Sequence, residues 1–385
     1  MRVLFIPYPD GIPSHGLPLL ALRRSCDQPI QGAFLLPRKY HHLGPLAGVD
    51  VLDHDFTGEL ATELDAYRHY RPDVVIDDCN PATYYACAAT RIPRVTVLRI
   101  AAFPGYTARN PHQAHTLPIA DRVSRWVSAA VPAPAIGELC SAGGHVIPAI
   151  AAIEPPTAPM IGNPRYAYAG PLNLPDDDTM RLMAGPARAA EQDAELQRFL
   201  DLHAHRPLAF MTFGIAQGFR EEGRACVRRL IESGFAVIST FSAGELDRAA
   251  RPLHFWSGLV PLDLVCGRAD VVIHQCGSGT YYYPLLHGTP TITLATGFVD
   301  REDIALRLED LGVSVHVRES ADPGVLAKAI VTAAHAWLEQ AALSRYRAHV
   351  RPLQREIGDV SASFRIHDLL ELAVARGRQS GAAIH

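Results

Sequence analysis

Short apolar runs alternate with segments of helical length along nearly the whole chain. The runs are continuous rather than interrupted at every second position, which is typical of strands buried on both faces of a sheet. Helices interleaved with such strands favour parallel sheets. The predicted strands cover residues 2–7, 32–37, 73–77, 94–101, 207–213, 235–240, 270–275, 290–295 and 313–317. The pattern therefore predicts an α/β fold.

One segment without a strand pattern separates two halves of the chain. Residues 168–195 are rich in Pro, Gly and acidic residues, a composition that is typical of a linker. We predict two doubly wound, Rossmann-like parallel-sheet domains that face a cleft. The N-terminal domain covers 1–190 with the linker at its end, and the C-terminal domain covers 191–355. A C-terminal helix over 356–385 is expected to pack back on the first domain.

Composition and charge exclude several classes of function. Of the 385 residues, 48% are hydrophobic and 20% are charged, and the net charge is -4. A sizeable core can therefore be buried, and no basic face is expected for nucleic acid or an anionic membrane. No apolar run approaches the ~18 residues of a membrane span. We expect a cytoplasmic protein without a nucleic-acid partner and without an integral membrane span.

The cysteines point to a reducing compartment. Seven are scattered along the chain without a C-x-x-C pair, which fits the cytosol and the absence of structural zinc. They are Cys26, Cys79, Cys87, Cys140, Cys226, Cys266 and Cys276.

The most distinctive local pattern is a strand, a glycine turn and a short helix over residues 271–290. The apolar run stops at His274, and Gly277-Ser278-Gly279-Thr280 follows before Gly288 ends the helix. Such a turn collects backbone N–H groups and a helix N-terminus at one point, which suits an anion such as a phosphate. Glycine also allows a ligand to approach the backbone. Taken alone, the pattern is equally compatible with a turn that binds nothing, because it is neither a P-loop nor G-x-G-x-x-G.

Motifs on both sides of this turn form an ordered set. Leu259-Val260-Pro261-Leu262 precedes the turn, and Gly288-Thr289-Pro290 and Asp300-Arg301 follow it. Earlier in the chain stand "SHGLPLLAL" (14–22) and "YAGPL" (168–172). Together these motifs resemble those of family-1 glycosyltransferases of the GT-B fold, which include antibiotic, macrolide and plant secondary-product enzymes. The family has "v-P-(q/l)-x-x-L" ahead of the turn, "G-V-P" and "D-Q" after it, and "G-H-v-n-P-l-l-a-L" and "vGP" in the first domain. The resemblance spans nearly the whole chain in the right order.

The resemblance implies a nucleoside-diphosphate sugar donor bound by the C-terminal domain. The residues that it places at the diphosphate are Gly214, His274, Gln275, Gly277, Ser278, Gly279 and Thr280. Those that it places at the base and ribose are Leu259, Val260, Leu262 and Tyr283. Asp300 and Arg301 fall where family members hold the hydroxyls of the donor sugar.

Three of these positions depart from the family pattern. Gln275 replaces a phosphate-contacting His, and a Gln amide can donate a hydrogen bond but brings no positive charge. Tyr283 replaces the acid that accepts from both ribose hydroxyls, which slightly favours a dTDP-sugar over a UDP-sugar unless another group contacts the ribose. Arg301 replaces Gln and could either read a charged sugar or pair with Glu302 or Asp303 in solvent. Asp300 could also serve as the N-cap of its helix.

His15 is the predicted general base, because it matches the family's His and follows the first strand in a loop rich in Pro and Gly. Ligands of open α/β sheets bind at the carboxyl ends of strands, and an imidazole can take the proton of an acceptor hydroxyl. The alternative is an N-cap or loop histidine without a catalytic role. The family often pairs this His with an Asp. The candidates are Asp77, Asp78 and Asp121, with Asp121 provisionally joined to His15, and the first two could equally cap the helix near Pro81.

The predicted reaction is an inverting transfer that needs neither a metal nor a cofactor besides the nucleotide sugar. The resemblance implies a small natural-product acceptor, with the polar loop over 103–122 on its side, and leaves a homodimer open. Two other functions remain as alternatives. One is a GT-B sugar-nucleotide epimerase, and the other is a degenerate member that binds a nucleotide sugar without transfer, which Gln275 and Tyr283 would favour.

Overall fold

The chain folds into two compact units, which a computed structural model describes over most of their length. The described residues are 1–9, 12–78, 80–103, 106–109, 142–172, 174, 186–213, 220–244, 246–258, 260–295, 298–318, 320 and 322–382. Unit 1 contains those up to 174 together with 357–382, and unit 2 contains those from 186 to 356. The domain limits predicted from the sequence were 190/191 and 355/356, and the units change at 175/176 and 356/357.

Each unit is built on a parallel sheet. The strands of unit 1 are β1 Arg2–Ile6, β2 Gln31–Phe34, β3 Asp50–Val51, β4 Val74–Asp77, β5 Arg94–Val97, β6 Gly144–Ile147 and β7 Tyr166–Tyr168. The strands of unit 2 are β8 Leu208–Thr212, β9 Ala236–Ser239, β10 His254–Trp256, β11 Val271–His274, β12 Thr291–Leu294 and β13 Ser314–Val317. Every pairing between neighbouring strands of the described residues is parallel.

Helices connect these strands, as a parallel sheet requires. The α-helices of the described residues are α1 Ile12–Arg24, α2 Leu43–Ala47, α3 Leu60–Tyr70, α4 Pro81–Thr90, α5 Pro186–Leu202, α6 Arg220–Glu232, α7 Leu262–Arg268, α8 Tyr282–His287, α9 Val299–Asp310, α10 Pro323–Leu338, α11 Gln340–Ser363 and α12 Ile366–Ala382. Short 3-10 helices cover Arg38–Tyr40, Ile100–Ala102, Ala158–Met160 and Arg251–Leu253. None of the helices in the part of the chain described here is long and apolar enough to cross a membrane.

The continuous apolar runs arise because both faces of each sheet are covered. In β1, Val3 and Phe5 pack with α1 and α12 on one face, whereas Leu4 and Ile6 pack on the other face in the cluster that includes α3. All four side chains are fully buried. The predicted α/β class with two doubly wound parallel sheets is therefore confirmed, and each strand predicted from the sequence is present.

The strand order creates one switch point in each sheet. The order in unit 1 is β3-β2-β1-β4-β5-β6-β7, so the chain reverses its direction of winding between β1 and β4. The order in unit 2 is β10-β9-β8-β11-β12-β13, which places the reversal between β8 and β11. Loops diverge at such a point and leave a crevice at the carboxyl ends of the strands, where open α/β sheets bind their ligands.

The end of the chain packs on the sheet of unit 1. The sequence predicted one helix over 356–385, but α11 continues to Ser363 and α12 begins at Ile366, so the chain turns between them. Helix α12 lies against β4, β5 and β6. The approach is close, since a Cβ added at Gly144 would come within 2.8 Å of the Leu369 side chain.

We expect Leu369→Ala to destabilise unit 1, because Leu369 is 3% exposed and fills the space over β6. Removing a buried leucine side chain costs about 2–5 kcal/mol. Urea unfolding followed by circular dichroism measures this loss, and Glu371→Ala on the exposed face of the same helix is the control, with a change of about 0.5 kcal/mol or less. Equal stability of the two variants would show that α12 does not support the core.

Candidate active site

His15 and Asp78 come together at the switch point of unit 1. They follow β1 and β4, which are neighbouring strands whose register pairs Ile6 with Asp77. His15 Nδ1 lies within hydrogen-bonding distance of Asp78 Oδ2, and the two side chains are 28% and 14% exposed. A carboxylate on Nδ1 accepts the proton of that nitrogen, which places the lone pair of the neutral ring on Nε2. A neutral His15 ring in this contact therefore carries its proton-accepting atom at Nε2.

The surroundings of His15 differ from the predicted loop. His15 lies in the first turn of α1, so the loop prediction was wrong. The prolines of this segment favoured a loop, but Pro13 stands at the second position of the helix. A proline is tolerated there because the N–H that it lacks would have no partner within the helix. The Tyr8 ring meets the His15 ring edge to face, with the centroids 5.7 Å apart. The helix thus holds His15 directly after β1, at the end of the sheet.

Asp77 has a structural role. Its side chain is fully buried and accepts from Arg94 Nε at 2.9 Å and from Arg94 Nη2 at 2.7 Å. It also accepts from the backbone N–H of Asn80 at 2.6 Å. These bonds use both carboxylate oxygens, so Asp77 ties β4 to β5 and fixes the chain that presents Asp78.

The cap of α4 is Asn80, whose side chain accepts from the Ala82 N–H at 3.1 Å, so the proposed capping by Asp77 or Asp78 was wrong. Asp121, the provisional partner of His15, lies outside the described residues. Among the three candidate acids, Asp78 is the one that the described structure brings to His15. The sequence carried no signal for this choice, because both acids end the same strand.

The glycine turn lies at the switch point of unit 2. Strand β11 ends at His274, and α8 begins at Tyr282. Gly277, Ser278, Gly279 and Thr280 are all partly exposed, which leaves the turn open to a ligand. A Cβ added at Gly277 would meet no neighbour closer than Thr280 Oγ1 at 3.8 Å. The protein itself therefore does not need glycine there, whereas a ligand lying against the backbone would.

Gln275 is buried at the start of the turn with its amide unused. The residue is 3% exposed, and neither Nε2 nor Oε1 has a hydrogen-bond partner among the described residues. An unsatisfied buried polar group costs about 1–3 kcal/mol, so a ligand or a water molecule that pairs with this amide would stabilise the folded protein. The amide can donate to a phosphate oxygen or a sugar hydroxyl.

His274 shapes the turn without contributing charge. It is fully buried, and its Nδ1 accepts a hydrogen bond of 3.0 Å from the backbone N–H of Cys276. Cys276 has the left-handed φ of 54° that turns the chain away from the strand. Burial lowers the pKa of His274 to about 3, because a charged imidazole would lose its hydration. The ring is therefore neutral at physiological pH.

The base and ribose positions are only partly described. Tyr283 is 4% exposed and Val260 is 3% exposed, and both lie in the interior of unit 2, whereas Leu262 is partly exposed. Leu259 and Gly214 lie outside the described residues. The position of the family's ribose-binding acid is thus held by a buried phenol that cannot act as a carboxylate.

Asp300 and Arg301 lie in the first turn of α9. The N-cap is Phe298, so the alternative that Asp300 caps the helix was wrong. Asp300 Oδ1 is buried without a hydrogen-bond partner among the described residues. The Arg301 guanidinium lies 4.9 Å from the centroid of the Phe298 ring, in cation–π contact. Asp300 therefore offers an acceptor that the described protein does not use.

Two curated proteins resemble parts of the chain. A 3-alpha-mycarosylerythronolide B desosaminyl transferase from Saccharopolyspora erythraea is 24% identical over 64% of this chain and 57% of its own length. A sterol 3-beta-glucosyltransferase from Candida albicans is 28% identical over 38% of this chain and 10% of its own length. The chain thus spans less than two thirds of either relative. No protein-family model matches it.

Solved structures of glycosyltransferases share the fold over almost the whole chain. The calicheamicin glycosyltransferase CalG4 is 18% identical and covers 97% of this chain and 98% of its own, with a TM-score of 0.62. VinC in complex with dTDP is 15% identical, and the match covers 97% of this chain and 99% of VinC, with a TM-score of 0.63. Arabidopsis thaliana UGT89C1 in complex with UDP is 16% identical, and the match covers 98% of this chain and 99% of UGT89C1, with a TM-score of 0.65. The two parallel-sheet units therefore have the GT-B fold of these glycosyltransferases.

Acid is expected to destabilise the protein partly through His274. A folded-state pKa of about 3 against an ordinary 6.5 means that the stability is present above pH 6.5 and is lost as the pH falls toward 3. In His274→Asn the amide oxygen can still accept from Cys276 N–H, but no proton binds on unfolding. Below pH 6.5 the unfolding free energy of this variant should therefore fall less steeply with decreasing pH than that of the parent, by about 1.4 kcal/mol per pH unit.

Urea unfolding at several pH values between 4 and 8 measures this slope. The comparison between variant and parent isolates His274, since the buried His145 and His254 have lowered pKa values in both proteins. The exposed His205 provides the control His205→Asn, which should leave the slope unchanged. Parallel curves for the parent and His274→Asn would contradict the neutral, buried state of this ring.

Proposed function

We propose that the protein is a glycosyltransferase that moves a sugar from a nucleoside-diphosphate donor to a hydroxyl, or a similar nucleophile, of a small natural product. The observation that carries this proposal is the contact of His15 with Asp78 at the switch point of unit 1. The GT-B fold and the glycosyltransferase activities in the names of both curated relatives support it.

In the proposed reaction His15 acts as the general base. Its Nε2 takes the proton of the acceptor hydroxyl while Asp78 holds Nδ1–H and stabilises the positive charge that forms on the ring. The acceptor oxygen forms a bond to the anomeric carbon, and the bond from that carbon to the diphosphate oxygen breaks. Its electron pair leaves with the nucleoside diphosphate. Attack from the face opposite the leaving group inverts the anomeric centre.

The glycine turn is the proposed binding site for the diphosphate. The backbone N–H groups of the turn and the hydroxyls of Ser278 and Thr280 can donate to the oxygens on which negative charge develops. The Gln275 amide adds a further neutral donor, and its lack of a partner among the described residues supports this assignment. Asp300 Oδ1, which is also unpartnered in the described structure, is the proposed acceptor for a sugar hydroxyl. No step of the proposed reaction uses a metal.

The nucleotide of the donor is proposed to be dTDP rather than UDP. A carboxylate that accepts from both ribose hydroxyls favours a donor with a 2′-hydroxyl, and this chain has Tyr283 in its place. Structures of the same fold hold dTDP in VinC and UDP in UGT89C1, so the fold alone does not choose between them. The preference therefore rests on this one position.

A second candidate function is the binding of a nucleotide sugar without transfer. Gln275 and the neutral His274 leave the turn without a positive side chain at two of the positions that the family resemblance assigned to the diphosphate. The oriented His15–Asp78 pair favours transfer instead, because binding alone would not need a base. A sugar-nucleotide epimerase would release a free sugar inverted at C2 and would need no acceptor. That product distinguishes it from a transferase and from a protein that only binds the nucleotide sugar.

We expect dTDP to raise the melting temperature of the protein more than UDP or GDP does. A ligand that binds the folded state stabilises by about 2.7 kcal/mol at a hundred times its Kd. In Gln275→Ala the shift with dTDP should shrink, since one donor to the diphosphate is lost. The partly exposed Gln197 of α5 offers the matched control Gln197→Ala, which should keep the full shift. A larger shift with UDP would contradict the role given to Tyr283, and no shift with any nucleotide would contradict the proposed function.

His15→Ala should lower kcat by about 10²–10⁴ and leave the melting-temperature shift with dTDP intact, because a general base contributes that much to the rate. Asp78→Asn should also lower kcat at an unchanged KM for the donor, since the ring loses its orientation. Release of dTDP from dTDP-glucose in the presence of phenolic acceptors measures the rate. The exposed His42 provides the control His42→Ala, with full activity. Unchanged turnover in His15→Ala would exclude this residue as the base.

A further inference from the structure

Two histidines and one aspartate form a cluster on unit 1 that the proposed sugar transfer does not use. Asp65 and His69 lie one helical turn apart on α3, so their side chains share one face of the helix. His54 reaches the same place from the segment that follows β3. All three residues offer atoms that bind metal ions.

The ligating atoms are spaced like the corners of a coordination polyhedron. His54 Nε2 lies 3.3 Å from His69 Nδ1 and 3.5 Å from Asp65 Oδ2. His69 Nδ1 lies 3.7 Å from the same carboxylate oxygen. Tetrahedral zinc with bonds of ~2.0–2.2 Å to nitrogen and oxygen has neighbouring ligands about 3.3–3.6 Å apart. The three distances are therefore close to those of three ligands around one cation.

Hydrogen bonds alone cannot satisfy all the polar atoms that meet in this cluster. His69 Nδ1 faces three acceptor-capable atoms, because the backbone oxygen of Asp65 lies 2.9 Å away in addition to His54 Nε2 and the carboxylate. A neutral ring carries one proton and can satisfy only one of them at a time. Arg68 Nη1 lies 3.7 Å from the other carboxylate oxygen, Oδ1, and so leaves Oδ2 to the histidines. A cation would use both ring nitrogens and Oδ2 together.

We propose that His54, Asp65 and His69 bind a divalent transition-metal ion of the zinc type, with the fourth position open to water. Two imidazoles and one carboxylate suit zinc, whereas magnesium and calcium prefer sites made of oxygen alone. The side chains of Asp65 and His69 are 49% and 65% exposed, so the ion would exchange with solvent. It would join the segment after β3 to α3 and thereby stabilise unit 1. The competing arrangement is a metal-free cluster in which His69 Nδ1–H donates to the Asp65 backbone oxygen.

Calorimetric titration of the full chain with ZnCl₂ tests the site, with a protein that has no histidine tag and has been treated with a chelator. We expect one tight zinc ion per chain and no heat from MgCl₂. His54→Ala combined with His69→Ala should weaken zinc binding at least tenfold, since even the loss of an outer-shell partner costs about 10–100-fold. Asp65→Asn should weaken it in the same direction, and His205→Ala on unit 2 should leave it unchanged.

The melting temperature gives an independent readout, because zinc that binds the folded state must stabilise it. It should rise with zinc in the parent and in His205→Ala but not in the double variant, whose circular dichroism should match that of the parent. Equal zinc affinity in the parent and the double variant would overturn the proposal and assign the binding to other residues. Absence of zinc binding by the parent would support the metal-free cluster. Neither result bears on sugar transfer, which is measured separately by the release of dTDP.

Discussion

The structure depends on the burial of parallel strands on both faces of two sheets. In β1, for example, alternate side chains are buried on opposite faces of the sheet. Helices must therefore cover both faces, and the chain winds in two directions from the first strand of each sheet. This winding creates the switch points at β1/β4 and β8/β11. In unit 1 the switch point brings together His15 and Asp78, which are 63 residues apart in the sequence. In unit 2 the glycine turn follows β11 at the corresponding point.

Two consecutive acids at the end of β4 show how burial separates structural from chemical roles. Asp77 is fully buried, and a buried carboxylate is tolerable only when it is paired and hydrogen-bonded, as Arg94 and the Asn80 N–H provide. Asp78 lies one residue further on, is 14% exposed and meets His15. The buried pair thus fixes the position of the acid that contacts His15.

The turn of unit 2 shows the opposite balance. His274 Nδ1 accepts a hydrogen bond from the Cys276 N–H, and burial holds the ring neutral. His274 Nε2, the Gln275 amide and Asp300 Oδ1 lack partners among the described residues. Polar atoms in this state cost free energy, and such local inconsistencies concentrate where a protein binds or reacts. The unused atoms lie at the end of β11 and the start of α9, at positions that the family resemblance assigns to the donor.

The sequence by itself determined the α/β class and the strands with long apolar runs, because a strand buried on both faces needs apolar residues at consecutive positions. It did not predict β3, β6, β7 or β10, which are short or carry polar residues. It placed His15 after β1 but missed that the residue lies in the first turn of a helix, and it left Asp77 and Asp78 equivalent. Only the tertiary structure decided between them, because strand order and the pairing of buried charges depend on contacts between distant segments, which local patterns do not encode.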